Sequence, residues 1–434
     1  MVARPLVSYL AGLPEIEVRV GDQVPGKAEH LVEGHLRGRA LVIDLKNEDM
    51  LRSEIAAADL VVSMVPYVFH PVVARYCLAL KKNMVTTSYV SEAMRNLDAP
   101  ARDAGLIFLN ETGLDPGIDH MEAMRVIDEV KAEGGRILSF ISWCGGLPAP
   151  EANTNPFGYK FSWSPLGVLL ASKNDARYKW RGEDVFVPAE TLFDSPALIP
   201  IEGLTEFEGY PNRDSLPYID VYGIPETKTM LRGTLRYKGW CSTLARMIRL
   251  GLLGREDEDW AGETYSDFLK RQVNRAAEKA GRTVPADFRI ALDADLLEKL
   301  EWLGLAGDEP LPLAKGSAFD ILAGRMIKKL TYAEGERDMI ILQHQFIAVY
   351  PEERRAPEKI LSTLIDFGIP HGDSSMARTV GLPAAISARL ILEGRIKERG
   401  VHIPVKPGIY KPILEELEKQ GIVFKEKREK ASPE

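Results

Sequence analysis

The chain has 434 residues, 45% of them hydrophobic, which is enough to bury a large core and to form two or three domains. Its formal net charge of −8 argues against a nucleic-acid partner, and no apolar run reaches the ~18 residues that a membrane span needs. Cys77, Cys144 and Cys241 fit neither a disulfide framework nor a zinc signature. We therefore expect no metal site and a reducing compartment, which is the cytoplasm, or the mitochondrion if the source is eukaryotic.

In residues 1–131, short apolar runs alternate with helical patterns. Strands are predicted over Glu17–Asp22, Ala40–Leu45, Leu60–Pro66, Asn83–Tyr89 and Leu106–Asn110. Helices are predicted over Arg4–Ala11, Asn47–Ala57, His70–Leu80, Ser91–Ala104 and Met121–Lys131. Strands that alternate with helices pair in parallel, so the pattern predicts an α/β fold with a doubly wound, Rossmann-like sheet.

The start of the chain departs from that fold. A doubly wound domain begins with a strand and a glycine-rich turn that cradles the pyrophosphate, whereas this sequence opens on the predicted helix Arg4–Ala11. We expect the 434-residue chain to bind NAD poorly and its first domain to fold poorly. Either the start is assigned too far downstream, which we favour, or the chain is a fragment. Adding an upstream strand and glycine segment is then expected to raise the affinity for NAD.

After Arg136 the pattern changes to that of an α+β domain. Strands are predicted over Ile137–Trp143, Met230–Tyr237 and Met339–Val349, and a loop over Cys144–Asn155. Helices are predicted over Thr243–Leu253, Tyr265–Ala280, Ala291–Leu303 and Ser317–Leu330, with one further helix, Met376–Leu392, beyond Ser374. The charged tail from Lys425 is expected to be a frayed, solvated end. The predicted domains are a dinucleotide-binding domain (1–118, with 375–434 packing back on it), a substrate and dimerisation domain (119–240 and 331–374) and a helical insertion (241–330).

Candidate ligand-binding residues stand at the predicted strand ends, since open α/β sheets bind ligands outside the carboxyl ends of their strands. An acid in the position of Asp22 accepts hydrogen bonds from ribose hydroxyls and repels a 2′-phosphate, which favours NAD over NADP; a plain turn residue is an equal alternative. Further strand-end candidates are Met64, Val65, Pro66, Ser88 and Tyr89.

The segment between the last of these strands and the next helix is rich in acids. Asp115 precedes Pro116, which favours an extended backbone, and could pair with a substrate ammonium or handle a proton. Asp119 is predicted to cap the helix. For His120 a packed, neutral ring and a catalytic role both stay open.

Other candidates follow from side-chain chemistry. Arg213, Arg232 and Arg236 lie among turn and strand-end residues, where guanidinium groups can bind carboxylates, although an ion pair of Arg213 with Asp214 is the alternative. Cys144 is predicted to be a small buried thiol.

Several long strings closely resemble the glutamate-forming saccharopine dehydrogenases. They are VVSMVPYVFHPVV, VTTSYVS, NETGLDPGIDHMEAM, CGGLPAPEANTNPFGYKFSWSP, GYPNRDS, RGTLRYKGW and SSMARTVGLPAA, and they run from about residue 58 to residue 392. The resemblance implies oxidation of saccharopine at its secondary amine with NAD or NADP, giving L-glutamate and 2-aminoadipate 6-semialdehyde in lysine metabolism, by a homodimer.

The resemblance also implies site residues. Those implied to bind saccharopine are Ser88, Tyr89, Asp115, Arg213, Thr234, Leu235 and Arg236. Those implied to bind the cofactor are Asp44, Leu45, Met64, Val65, Pro66, Thr87, Ser88, Leu114, Asp115, Pro116 and Ser164. We assign proton handling to Asp115.

Within the family, Asp22-Gln23 resembles the NAD-linked forms that are fused behind a lysine–ketoglutarate reductase domain, rather than the NADP-linked fungal forms with a basic residue here. Two other functions stay open. One is a dehydrogenase for another N-carboxyalkyl amino acid such as carboxynorspermidine, and the other is a catalytically impaired binding or scaffold protein.

Overall fold

The computed structural model describes residues 2–171, 173–351 and 355–431. The α-helices are α1 Arg4–Ala11, α2 Lys27–Val32, α3 Glu48–Ala56, α4 His70–Ala79, α5 Glu92–Arg95, α6 Asp98–Asp103, α7 Ile118–Ala132, α8 Pro165–Ala171, α9 Pro217–Val221, α10 Trp240–Arg249, α11 Tyr265–Lys279, α12 Ala294–Leu303, α13 Ala318–Lys329, α14 Ser375–Leu392 and α15 Pro407–Lys419. The strands are β1 Val18–Asp22, β2 Gly38–Val42, β3 Leu60–Ser63, β4 Asn83–Thr86, β5 Ile107–Leu109, β6 Arg136–Pro148, β7 Ala176–Trp180, β8 Glu183–Val187, β9 Ala197–Pro200, β10 Glu206–Pro211, β11 Thr229–Tyr237, β12 Asp257–Asp259, β13 Lys315–Ser317, β14 Asp338–Tyr350, β15 Arg355–Phe367, β16 Gly400–His402 and β17 Lys425–Lys430.

The chain divides into two compact units. The first unit contains Met1–Ser142, Tyr218–Thr227 and Leu342–Glu434, and the second contains Trp143–Pro217 and Lys228–Ile341. The three-domain division made from the sequence remains a prediction. No helix in the described ranges has both the length and the apolar character that crossing a membrane requires.

The first unit carries the predicted parallel strands. β16, β5, β4 and β3 form a four-stranded parallel sheet in that order, while β1 and β2 form a parallel pair of their own. Helix α14 contacts α1, β3 and β4. Val73, Cys77, Met84 and Phe108 form part of a core cluster on this sheet, and their burial explains why the strands read as continuous apolar runs. The predicted α/β fold is confirmed.

The C-terminal part of the first unit corrects two expectations. Beyond Ser374 the chain forms not one helix but α14, β16, α15 and β17. The tail is not frayed, because β17 pairs antiparallel with β15, from Glu358↔Lys430 to Thr363↔Lys425. Residues 432–434 of the predicted tail lie outside the described residues. Strand pairing is made by the backbone, so a strand of charged residues joins a sheet edge when its side chains find partners.

These partners lie on helix α7 and at its C-cap, Glu133. Arg428 forms ion pairs with Glu129 at 3.2 Å and with Glu133 at 3.5 Å. Arg125 pairs with Glu129 at 2.8 Å and with Glu426 of β17 at 2.6 Å. The charged side chains from which we predicted a solvated end therefore form ion pairs that hold β17 against the α7 segment.

In the second unit β9, β10 and β11 are antiparallel neighbours, and β7 pairs with both β11 and β8. Strand β6 continues through Gly145 and Gly146 to Pro148, so the predicted loop that starts at Cys144 is wrong over its first five residues, 144–148. A Cβ on Gly145 would lie 2.9 Å from Leu235, so glycine permits the close approach of this strand. Helices α10 to α13 confirm the predicted helices between 241 and 330 to within four residues.

The packing of Trp143 predicts the effect of one substitution. A Cβ on Gly233 would lie 2.2 Å from the Trp143 ring and 2.7 Å from the Tyr210 carbonyl oxygen, so Gly233→Ala forces the backbone or the indole to move. We expect a loss of about 1–3 kcal/mol in the free energy of unfolding of the second unit. Tryptophan fluorescence during urea unfolding measures it, because all six tryptophans of the chain lie in that unit.

The matched control is Gly324→Ala in α13. A Cβ at Gly324 meets nothing within 4 Å, and alanine favours a helix, so this variant is expected to be stabilised by up to about 1 kcal/mol. Equal stability of the Gly233 variant and the parent protein would contradict the packing argument.

Candidate functional site

The candidate site of the first unit is built on strand ends. Because β3, β4 and β5 are parallel neighbours, their carboxyl ends lie at one edge of the sheet. The N–H of Thr112 donates to the carbonyl of Thr86 at 3.2 Å, and the N–H of Glu111 donates to the carbonyl of Ser88 at 3.2 Å. These bonds lay the segment after β5 along the segment after β4. The loops that result at this edge are 64–66, 87–89 and 110–117.

Asp115 is singled out by its burial. Over residues 106–124 every residue is buried except Asp115, which is partly exposed. The hydroxyl of Tyr89 donates to Oδ1 of Asp115 at 3.2 Å. A Cβ on Gly117, whose φ is 148°, would lie 2.0 Å from the Gly113 carbonyl oxygen, so the loop is too tight for any other residue there. A rigid, buried frame thus presents a single carboxylate with a phenol beside it.

The other strand-end candidates surround this pair. The Thr87 hydroxyl contacts the sulfur of Met64 at 4.0 Å. Leu114 and Pro116 are buried on either side of Asp115. Met64 and Val65 are partly exposed and Pro66 is exposed. The structure therefore brings together the predicted residues of the loops 64–66, 87–89 and 114–116.

Beneath the loop lies a buried polar network that joins distant parts of the first unit. His120 is fully buried; its Nε2 lies 2.8 Å from Oε2 of Glu111 and its Nδ1 lies 2.7 Å from the Tyr222 hydroxyl. Oε1 of Glu111 accepts from the N–H of Val90 at 3.0 Å. The N-cap of α7 is Gly117, so the predicted capping box of Asp119 with Glu122 is wrong; Asp119 is the second residue of the helix, and its Oδ1 accepts from the N–H of Gly117 at 2.6 Å. His120 is thus packed, and it anchors the loop that bears Asp115.

His70, at the first position of α4, is a site residue that the sequence did not reveal. It is 3% exposed, and its Nδ1 lies 2.8 Å from the Ser63 hydroxyl. Its Nε2 lies 2.8 Å from the Ser88 hydroxyl and 3.2 Å from the Thr86 hydroxyl. Burial lowers the pKa of His70 to about 4, so the ring is neutral at physiological pH. The sequence marked it only as the start of a helix.

Two acids lie at the ends of the parallel pair β1 and β2: Asp22 is the last residue of β1, and Asp44 lies just beyond β2. Oδ1 of Asp22 accepts from the N–H of Val24 at 2.8 Å, which gives the turn role a direct geometric basis. Oδ1 of Asp44 accepts from the Gln23 side chain at 3.1 Å and from the N–H of Lys46 at 2.9 Å. Leu45 packs against the core. The acids at the ends of β1 and β2 are therefore held next to each other.

In the second unit, Arg236 and Arg232 are the buried cations of the predicted set, and Arg236 lies against aromatic rings. It is 6% exposed, and its guanidinium carbon lies 4.9 Å from the Tyr159 ring centroid and 5.7 Å from that of Trp240. Its Nη1 donates to the Leu235 carbonyl at 2.7 Å, and within the described residues its Nε has no hydrogen-bond partner. Burial raises the pKa of Tyr159 and of Tyr210, so neither phenol balances this charge.

The remaining candidates of the second unit range from exposed to buried. Arg213 follows β10, is exposed and has a φ of 56°, while its neighbour Asp214 forms an ion pair with Arg177 at 3.7 Å. Thr234 of β11 is partly exposed and Leu235 is buried. The hydroxyl of Ser164 accepts from the N–H of Gly167 at 3.2 Å, at the start of α8. Cys144, predicted to be buried, is partly exposed.

The residues present fit the groups that the sequence implied. Carboxylates at the ends of β1 and β2 suit ribose hydroxyls, and hydroxyl and backbone groups at the ends of β3 and β4 suit the polar parts of a nicotinamide. A buried guanidinium with a free N–H suits a carboxylate.

Comparison with known proteins identifies the family. Residues 1–109 match the family described as saccharopine dehydrogenase NADP binding domain, and residues 113–422 match saccharopine dehydrogenase C-terminal domain. The chain is 39% identical to saccharopine dehydrogenase [NADP(+), L-glutamate-forming] of Saccharomyces cerevisiae over 98% of this chain and 97% of the relative.

Two further comparisons agree. The chain is 40% identical to the mitochondrial alpha-aminoadipic semialdehyde synthase of Bos taurus over 98% of its own length, but it spans only 46% of that relative. The solved structure of apo saccharopine dehydrogenase (L-Glu forming) from S. cerevisiae matches with a TM-score of 0.89 at 38% identity, covering 99% of this chain and 97% of that one. The chain therefore belongs to the saccharopine dehydrogenase family.

Proposed function

We propose that the protein oxidises saccharopine at its secondary amine with a nicotinamide dinucleotide and releases L-glutamate and 2-aminoadipate 6-semialdehyde, as part of lysine metabolism. The observation that carries the proposal is the 39% identity to the yeast saccharopine dehydrogenase over nearly the full length of both chains. The partly exposed Asp115 carboxylate, in an otherwise buried segment, supports it, because the reaction needs a group that accepts a proton.

The reaction removes a hydride from the carbon next to the secondary amine and leaves an imine. Water then adds to the imine carbon and the carbon–nitrogen bond breaks, which frees the amino group of glutamate and the aldehyde. The cofactor, when bound, supplies the hydride acceptor. Saccharopine carries its amine as an ammonium ion, so a proton must leave first. We assign its acceptance to Asp115, with the Tyr89 hydroxyl, 3.2 Å away, orienting the carboxylate.

Substrate recognition is proposed to use residues that suit carboxylates. Saccharopine has three carboxylates, and bidentate guanidinium groups together with hydroxyl and backbone donors bind such groups. We propose that its contacts come from Ser88, Tyr89, Asp115, Arg213, Thr234, Leu235 and Arg236. The Nε of the buried Arg236, which has no hydrogen-bond partner among the described residues, supports this role.

Cofactor binding is proposed to use Asp44, Leu45, Met64, Val65, Pro66, Thr87, Ser88, Leu114, Asp115, Pro116 and Ser164, together with Asp22. We propose NAD as the preferred cofactor, because Asp22 ends β1 where a carboxylate repels a 2′-phosphate. The relatives include enzymes named for NADP, so similarity does not favour NAD, and the proposed preference for NAD rests on Asp22 alone.

The preference can be measured with Asp22→Ser. Losing the negative charge removes both the ribose contact and the repulsion of a 2′-phosphate, so the ratio of kcat/KM for NAD over that for NADP is expected to fall by about tenfold or more. Initial rates at matched concentrations of the two cofactors give the ratio. Asp59→Asn, on an acid outside this site, is the control. A parent protein that turns over faster with NADP would contradict the proposal.

The substrate is tested by following reduced cofactor with saccharopine and with carboxynorspermidine. Turnover of saccharopine with release of glutamate supports the proposed function, and turnover of carboxynorspermidine alone would replace it with the related activity. Calorimetric binding of saccharopine without turnover would indicate a binding protein. We also propose that the protein lies in the cytoplasm, because its three cysteines are free, as expected in a reducing compartment. We propose in addition that it forms a homodimer, which light scattering tests.

A further inference from the structure

We propose that His70 is a positioning residue that holds the Ser88 hydroxyl, so that this hydroxyl presents its proton to a carboxylate or amide oxygen of a bound ligand. The inference rests on the proposed function for the ligand contact of Ser88. His70 itself touches no ligand in this proposal and acts through its neighbour.

The geometry places His70 between two strand ends. Its ring bridges Ser63, the last residue of β3, and Ser88, just beyond β4, with both nitrogen–oxygen distances at 2.8 Å. Ser63 is 3% exposed, whereas Ser88 is partly exposed. Three hydroxyls lie within hydrogen-bond distance of the ring, those of Ser63, Thr86 and Ser88. Ser63 and Thr86 are buried, so only the Ser88 hydroxyl has a side open to a ligand.

The bonding pattern fixes what each hydroxyl can do. A neutral imidazole has one N–H donor and one acceptor nitrogen. If Nε2 carries the proton, Ser88 accepts from the ring and its own O–H is left to donate outward, while Ser63 donates to Nδ1. If Nδ1 carries it, Nε2 accepts a hydrogen bond instead, from Ser88 at 2.8 Å or from Thr86 at 3.2 Å, and the ring no longer directs the Ser88 proton outward. Because saccharopine is rich in carboxylates, which only accept hydrogen bonds, the first tautomer is the one that suits it.

Two substitutions separate positioning from packing. The amide of glutamine reaches the place of Nε2, and the amide of asparagine reaches the place of Nδ1. His70→Gln therefore keeps the donor to Ser88, and His70→Asn keeps only the contact with Ser63. We expect His70→Asn to lower kcat/KM for saccharopine by about tenfold and His70→Gln to restore most of it. In a Ser88→Ala background, both changes are expected to have no further effect.

Thermal unfolding of both variants is measured alongside, since a structural role would lower both midpoints without separating their kinetics. Equal kcat/KM for the two variants in a parent protein that does turn over saccharopine overturns the inference and leaves the proposed function standing. A parent protein without turnover overturns the proposed function instead.

The tautomer is read independently of activity from the ¹⁵N chemical shifts of His70. We expect the proton on Nε2, and we expect the Nε2 shift to change in Ser88→Ala while Nδ1 changes little. A proton on Nδ1, or no response to Ser88→Ala, overturns the inference whether or not the protein is active.

Discussion

Replacing Asp115 by asparagine is expected to lower kcat/KM for saccharopine by about 10²–10⁴-fold, the range that a positioned acid or base contributes. Asparagine keeps the size and the hydrogen bond with Tyr89 but cannot accept a proton. Because Asp115 is partly exposed in a segment that is otherwise buried, the fold should not depend on its charge. Initial rates with saccharopine and either cofactor measure the effect.

Two further variants show whether the loss of activity is specific to the Asp115 carboxylate. Asp103→Asn changes an exposed acid of α6 in the same unit and is expected to leave kcat/KM unchanged. Tyr89→Phe removes the phenol 3.2 Å from Asp115 and is expected to cost about tenfold, as the loss of one hydrogen bond to a charged group. An Asp115→Asn variant that keeps at least a third of the activity would refute the assignment of proton handling to this residue.

Replacing His120 by alanine is expected to cost the first unit about 3–5 kcal/mol of stability, because it removes a fully buried ring and leaves its hydrogen-bond partners unsatisfied. Glu111 is 5% exposed and would lose its partner at 2.8 Å, and the change would also leave the buried Tyr222 hydroxyl without its bond to the ring. Tryptophan fluorescence reports on the second unit, so the measurement is hydrogen exchange of residues 106–124 together with far-ultraviolet circular dichroism in urea.

The double variant Glu111→Gln with His120→Gln tests whether the loss comes from an unpaired carboxylate. It is expected to recover part of the loss, because no buried charge then remains unpaired. Tyr222→Phe removes only one neutral partner and should cost about 1 kcal/mol. Unchanged exchange rates in the His120 variant would show that the network carries no stability.

The parts of the fold that the sequence predicted are those fixed by local patterns. Helix α1 was predicted with its observed bounds, whereas the predicted strand Asn83–Tyr89 ends at Thr86, so Ser88 and Tyr89 lie in the loop just beyond β4. Asp115 could be chosen because it follows an apolar run that stops at polar residues. Local signals of this kind are present wherever burial dictates residue type.

The parts that could not be predicted depend on distant partners. His120 meets Tyr222, 102 residues away, and nothing near either residue signals the contact. His70 lies at a helix start, and its three hydroxyl partners come from the last residue of β3, the last residue of β4 and the loop after β4. Strand β17 contains no apolar residue, so it lacks the alternation by which strands are recognised. Strand β6 was predicted only to Trp143, because glycine is depleted in strands and two glycines follow.

The first unit is assembled from segments near both ends of the chain, and this has a consequence during synthesis. Residues 1–142 leave the ribosome well before 342–434, while the second unit is complete once residue 341 has emerged. Until α14 arrives, the surfaces of α1, β3 and β4 that it covers stay exposed. The cofactor-binding half is therefore the last to fold on a nascent chain, and it is the half that most needs chaperones at high expression rates.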